Sequence, residues 1–373
     1  MQQVIKGIAS LPDILKGVAC GRLFMVVDSS YPSLGVRDAI EALAVEKVRF
    51  SDFTPNPLYE QVCKGEALLR ESRCDTILAV GGGSAMDVAK CIKLAVLAAE
   101  GSAALIPPLV ARRLPIDGGR IPLVAIPTTA GSGSESTHNA VMYYMGAKQT
   151  VTNDGVLPDY AILEPRVLKT LPLYQKKSTM LDALCQGIES MWSVGSTDES
   201  MVYSQRAIRG IMDHWRDYTG HSTAEAAEAV MDAANYAGRA INIAETTAPH
   251  AMSYKLTSMY GIPHGHAVAL CLPEVWSYML SHPERCIDPR GREHLGRVFG
   301  MLAALMGCNT EGEAVSRFKE TMRALDMPST VRSASRVADV DVLSRSVNPV
   351  RLKNNPVHLT DDAIRQIYSN IIL

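Results

Sequence analysis

The sequence predicts a two-part protein, an α/β domain followed by an all-helical one. Three observations carry this. In the first half, short β-branched apolar runs alternate with stretches of helical spacing, the pattern of parallel strands joined by crossover helices. Two of those runs end in turns rich in glycine and hydroxyl residues. From Leu173 onward the β-branched runs thin out, and alanine-rich segments of helical period take over. The 373 residues exceed what one ordinary core holds. The boundary is expected at Thr170-Leu-Pro172, giving domains 1–171 and 172–373.

Taken in order, residues 23–27 read as a buried strand between Gly21 and Asp28-Ser-Ser-Tyr-Pro32. Residues 37–45 have helical spacing, 47–50 form a strand, 57–71 a helix, 76–80 a strand and 85–99 a helix. Residues 122–127 are a further buried strand. In the second half, helices are expected over 181–192, 200–215, 224–244 and 292–306.

Composition excludes several classes. With 47% hydrophobic and 20% charged residues the chain is globular. A formal net charge of -2 without a basic or acidic block argues against nucleic acid or a membrane surface as partner. Eight scattered cysteines, none in a CxxC pair, fit reduced thiols in the cytoplasm. The N-terminus has no signal pattern, and no apolar run reaches the roughly 18 residues of a transmembrane helix.

Gly81-Gly-Gly-Ser84-Ala-Met-Asp87 lies between a strand and a helix. Glycines let backbone approach a ligand, and the helix N-terminus offers free N–H groups to an anion, so the turn can cradle a pyrophosphate. A tight turn that binds nothing explains the glycines equally well. The pattern is neither GxGxxG nor a Walker A loop. A second turn, Thr128-Thr-Ala-Gly-Ser132-Gly-Ser-Glu135-Ser-Thr137-His-Asn139, ends the next strand. Two such turns in one α/β half favour a dinucleotide.

The second half offers a different chemistry. His250 and His264 stand fourteen residues apart, and Asp182 lies upstream. A lone histidine on a helix is more often a packing residue than a ligand. One carboxylate and two imidazoles that converge, however, make a divalent-metal site with an open position, able to polarise a carbonyl.

In order and spacing, these motifs resemble the iron-containing (group III) alcohol dehydrogenase family, whose relatives include glycerol dehydrogenase and dehydroquinate synthase. The resemblance runs over essentially the whole chain. It implies a Rossmann-like nicotinamide domain, a helical metal domain and an active site in the cleft between them. It implies that Gly82, Gly83 and Ser84 hold the pyrophosphate, with Asp87 closing that motif. Thr128, Thr129, Ser132 and Thr137 would line the cofactor site, Asn56 would match a ribose-side loop, Lys148 a cofactor-contacting lysine and Asn139 a residue near the nicotinamide. Asp28 falls where the adenosine ribose would lie. A carboxylate there accepts from the 2′-OH and repels a 2′-phosphate, so NAD(H) is expected over NADP(H). Asp28 starting a turn with Ser29 and Ser30 is the simpler reading.

The resemblance also implies a ligand set, and this chain departs from it. The family uses Asp then His at positions 182 and 186, and here the second is Gln186. With Asp182, His250 and His264 as the strong donors and Gln186 in the fourth position, the set resembles the zinc-using glycerol dehydrogenase branch and points to Zn²⁺ ahead of Fe²⁺. Tyr254 replaces a further family histidine. Tyr254 or His266 would relay the proton. Arg351, just before Asn355-Pro356, and Lys255 would orient an anionic substrate. Segments 245–258 and 260–266 look like the phosphonoacetaldehyde reductase branch, which implies reduction of that aldehyde to 2-hydroxyethylphosphonate. A carboxylated or uncharged small aldehyde is the alternative, as is a dehydroquinate-synthase-like lyase using NAD transiently, although that ligand set begins with Glu. By the same analogy the chain is expected to form a homodimer or larger homo-oligomer.

Overall fold

The computed structural model describes residues 2–98, 100–106 and 121–373. The chain divides into two compact units, Met1–Leu171 and Pro172–Leu373.

The first unit contains strands β1 (Gln3–Lys6), β2 (Arg22–Val27), β3 (Glu46–Phe50), β4 (Thr76–Gly81), β5 (Leu123–Pro127), β6 (Asn139–Tyr144), β7 (Ala147–Thr152) and β8 (Tyr160–Leu163). Six of them form one parallel sheet in the order β1-β8-β5-β4-β2-β3. β2 and β4 are interior strands, and Leu23 to Val26 and Ile77 to Val80 are fully buried. That is why these strands read as unbroken apolar runs rather than alternating ones. The chain's helices here are α1 (Leu11–Gly17), α2 (Arg37–Glu41), α3 (Tyr59–Ser72) and α4 (Gly83–Leu97). α4 sends Val88, Cys91, Ile92 and Ala95 into the core, where Val62 and Leu69 of α3 join them.

The strand order reverses direction within the sheet. The chain leaves β2 for the edge strand β3, then returns across β2 to β4. At such a reversal the connections diverge and leave a crevice beyond the carboxyl ends of the two strands. Asp28 follows β2 and Gly82 follows β4, so both flank that point.

Some elements differ from expectation. The helix expected over 37–45 stops at Glu41, and Lys47 Nζ donates to the carbonyls of Glu41 (3.0 Å) and Leu43 (2.7 Å) beyond it. The helix expected over 85–99 begins at Gly83 and runs to Leu97, and residue 99 lies outside the described residues. The β6–β7 hairpin turns through Met145 and Gly146, both at positive φ (50° and 76°). Its Met-Gly turn lacks the Asn-Gly or Asp-Gly signal that usually announces such a pair.

The second unit is built from α5 (Leu173–Trp192), α6 (Asp198–Gly220), α7 (Ala224–Ala244), α8 (Ala248–Tyr260), α9 (His264–Ser281), α10 (Arg292–Leu305), α11 (Glu311–Ala324), α12 (Arg336–Ser346), α13 (Pro349–Leu352) and α14 (Asp361–Ile371). α5 is the central helix and packs against α6, α7 and α9. Its last residue, Trp192, meets Trp276 edge-on at 5.4 Å and Phe299 at 6.2 Å. Threonine side chains cap α6, α7, α11 and α14 by accepting from first-turn N–H groups. α5 follows Pro172 and starts at Leu173, well before the expected 181. Among the described residues no helix is long and apolar enough to cross a membrane.

Candidate active site

In the first unit the two small-residue turns abut. Gly82 precedes α4, and a Cβ placed on it would lie 3.4 Å from Thr129. One on Gly83 would lie 3.2 Å from Ser132 Oγ, tighter than side chains normally allow. The backbone N–H of Thr128 donates to the carbonyl of Gly81 (2.9 Å), holding the second turn to the first. Asn56, at φ 58°, donates its N–H to Ser84 Oγ (3.4 Å) and brings the loop before α3 to the same place. Asp28 is bonded on both oxygens: Oδ1 accepts from the N–H of Ser30 and Oδ2 from that of Gly82, each at 2.9 Å. It therefore does start the turn with Ser30, and it also fixes the glycine turn.

Beneath the second turn lies a fully buried cation. Lys90 Nζ donates to Ser134 Oγ (3.0 Å), Thr137 Oγ1 (3.0 Å) and the carbonyl of Asn139 (2.8 Å). Burial pulls its pKa down to about 8, against the pull of Asp87 and Glu135. Burial pushes Asp87 up to about 6, against Lys90 and Lys148. Thr137, Asp87 and the backbone of Asn139 thus belong to an internal network that shapes the turn. The Asn139 side chain accepts from Thr152 (2.7 Å), and Lys148 sits opposite Tyr143 on the hairpin. Thr129, Ser132 and Ser84 remain half-buried around the glycines. Glycines that a Cβ would crowd, together with a helix N-terminus, fit a phosphate-bearing cofactor.

In the second unit Asp182, His250 and His264 converge, with one donor atom from each lying within 4.8 Å of the others. His250 Nε2 stands 3.3 Å from Asp182 Oδ1. That is the edge of a tetrahedron with bonds of about 2.0–2.1 Å, so the donor set fits a divalent ion. The approach depends on one glycine. A Cβ on Gly265 would fall 2.1 Å from the carbonyl oxygen of Ser178 and 2.7 Å from Asp182 Cβ. Only glycine lets the start of α9, with His264, reach α5. Gln186 is buried one turn beyond Asp182.

Hydrogen bonds select the ring nitrogens. Ser253 Oγ–H donates to the carbonyl of His250 (2.8 Å), so its oxygen accepts from His264 Nδ1 (3.4 Å) and leaves Nε2 as the donor atom. His250 Nδ1 donates to Glu189, which is wholly buried. Burial works against a charged His250, and Glu189 and Asp182 outweigh it, holding the pKa at about 9. The segment leading into α8 is clipped from far along the chain. Asn354 Nδ2 donates to the carbonyls of Ala244 (2.8 Å) and Thr246 (3.1 Å), and Asn355 Oδ1 accepts from the N–H of Ala248 (3.5 Å).

The remaining expected residues divide. Tyr254 stacks on His264 at 5.7 Å and 13°, and the Arg351 guanidinium lies 5.6 Å over the other ring, that of Tyr254. Lys255 is exposed on α8. His266 is committed to the fold: its Nε2 donates to the carbonyl of Pro328 (2.7 Å) and its Nδ1 accepts from the Tyr174 hydroxyl (2.8 Å). With both nitrogens engaged in a buried position it serves packing. Sequence reasoning passed over Glu189, Lys90, Ser253 and Gly265. Glu189 had a signal, since it stands seven residues after Asp182 on the same face of the helix. Lys90, three residues after Asp87, had the same kind of signal.

Comparison with known proteins accords with this geometry. Residues 4–165 match the family described as iron-containing alcohol dehydrogenase, and residues 176–372 match the C-terminal part of the Fe-containing alcohol dehydrogenase family. A phosphonoacetaldehyde reductase of Streptomyces viridochromogenes is 34% identical over 80% of this chain and 76% of its own length. A long-chain-alcohol dehydrogenase of Geobacillus thermodenitrificans is 31% identical over 72% of this chain and 69% of its own. The crystal structure of a sulfoacetaldehyde reductase from Bifidobacterium kashiwanohense in complex with NAD+ has a TM-score of 0.84 and 26% identity, covering 99% of this chain and 96% of that one. With both units matched along nearly their whole length, the chain belongs to the iron-containing alcohol dehydrogenase family and is an oxidoreductase of that class.

Proposed function

We propose that this chain reduces a small aldehyde bearing a tetrahedral anionic group, with NADH as the reductant and phosphonoacetaldehyde as the first candidate. The observation that carries the reading is the Arg351 guanidinium over the ring of Tyr254, the ring that stacks on His264 of the candidate metal site. A guanidinium offers a fixed fork of donors to phosphonate, sulfonate or carboxylate oxygens. The phosphonoacetaldehyde and sulfoacetaldehyde reductases named above carry substrates of this kind in their names, and both resemble this chain.

Asp182, His250 and His264 would hold the ion, and three strong donors beside the amide of Gln186 favour Zn²⁺ over iron. A divalent ion there supplies Lewis-acid polarisation of the aldehyde oxygen, and a nicotinamide supplies the hydride. Gly82, Gly83 and Ser84 bind the pyrophosphate, and Asp28 disfavours a 2′-phosphate. Tyr254 donates the proton and Arg351 orients the anion.

Three measurements test this. NADH oxidation with phosphonoacetaldehyde is expected to exceed that with propanal at equal concentration. Arg351→Ala is expected to raise KM for phosphonoacetaldehyde by about 10–100-fold, the loss of a charge-assisted bond of about 1.5–3 kcal/mol, and to leave propanal unchanged. An equal loss on propanal removes the anion argument. Asp28→Ala is expected to shrink the preference for NADH over NADPH about tenfold, as losing about 1.4 kcal/mol of discrimination would. An unchanged ratio assigns Asp28 to the turn alone.

A further inference from the structure

We infer that Glu189 sets which ring nitrogen His250 offers to the ion and thereby sets the affinity of the site. The inference rests on the metal reading given above. Glu189 has no exposed surface and sits on α5, two turns beyond Asp182. Its Oε1 accepts from the N–H of Thr247 (2.9 Å), the hydroxyl of Thr247 (2.9 Å) and, more distantly, the N–H of His250 (3.4 Å). Thr247 Oγ1 in turn accepts from Trp192 Nε1 (2.9 Å), so its own hydrogen is committed to Glu189. Oε2 is left for His250 Nδ1.

A carboxylate only accepts, so Nδ1 must carry hydrogen. In a neutral imidazole the lone pair is then on Nε2, the nitrogen that faces Asp182. Glu189 also balances charge: two carboxylates, Asp182 and Glu189, match one divalent ion. An orienting carboxylate behind a ligating histidine raises its basicity and fixes its ring.

The arrangement makes an unusual forecast for the isosteric variant Glu189→Gln. The amide oxygen must stay toward the two donors of Thr247, because an NH₂ group cannot accept from them. The amide NH₂ then faces His250 Nδ1, which becomes the acceptor. The proton moves to Nε2, and the nitrogen beside Asp182 loses its lone pair. Glu189→Asp is a poorer shape match but still only accepts, so it keeps Nδ1–H.

The test is Zn²⁺ affinity of the protein by competition with a chromogenic chelator, with folding checked by circular dichroism and His250 tautomers read by ¹⁵N NMR at a pH above about 9, where the metal-free ring is neutral. E189Q is expected to bind Zn²⁺ about 10–100-fold more weakly than wild type and to show Nε2–H. E189D is expected to bind more tightly than E189Q. A purely structural role for Glu189 predicts the opposite ranking, and that ranking overturns the inference, as does unchanged affinity in E189Q. If E189Q does not fold, E189D decides alone: an Nδ1–H signal supports the inference and an Nε2–H signal overturns it. A wild type that binds no Zn²⁺ overturns the metal reading, and the inference with it.

Discussion

Replacing Asp182 with alanine is expected to lower aldehyde reduction by about 10³-fold or more and to strip the protein of its ion. Asp182 is the single carboxylate of the converging trio and is 5% exposed. Without it the ion would face two neutral imidazoles, with no anion to offset its charge on that side. Lewis-acid polarisation is worth several kcal/mol, and about 4 kcal/mol corresponds to a factor of about 10³ in rate. Alanine is a strong helix former, so α5 itself is expected to persist. The check is metal content by mass spectrometry beside kcat, with chelator-treated wild type as reference. Full metal content and full rate in the variant would remove the metal site from the mechanism.

Gly265→Ala is the second large effect. The added Cβ would meet a backbone carbonyl at 2.1 Å and Asp182 Cβ at 2.7 Å, and neither is the free end of a flexible side chain. The start of α9 must therefore back away from α5 and carry His264 with it. Overpacking of this kind costs about 1–3 kcal/mol or more. A misplacement of about 1 Å at a reacting centre costs about 10²-fold in rate. A lower Tm and a rate reduced about 10²-fold are expected, and no change in either would show that the helix approach does not place His264. Gly296, in the middle of α10 with open space around its Cα, is the matched control. There alanine is expected to be neutral or mildly stabilising.

How far the molecule was legible from its residues depended on range. The central strands were visible because burial on both faces leaves an unbroken apolar run, as in Leu23 to Val27. The β1 edge strand, with Gln3 and Lys6 exposed at its ends, has no such run and was not seen. Asp182, His250 and His264 stood out because their order and spacing resemble the ligand set of the iron-containing alcohol dehydrogenase family. The partners that orient them did not, because a link such as Glu189 to Thr247 depends on helix packing that spacing along one helix cannot specify. His266 shows the converse. Its neighbourhood in sequence pointed to catalysis, while its hydrogen bonds to Tyr174 and Pro328 belong to packing.

The clip on the entrance to α8 has a consequence for biosynthesis. Asn354 reaches back 110 residues to Ala244, and Asn355 reaches back 107 residues to Ala248. Contacts of such separation form late, because the loop they close carries a large entropic cost. On the ribosome α7 and α8 emerge long before the asparagines that fix the join between them. His250 therefore reaches its final position only after Asn354 and Asn355 have been made. A nascent chain that stops short of residue 354 carries Asp182, His250 and His264 without the frame that sets the start of α8.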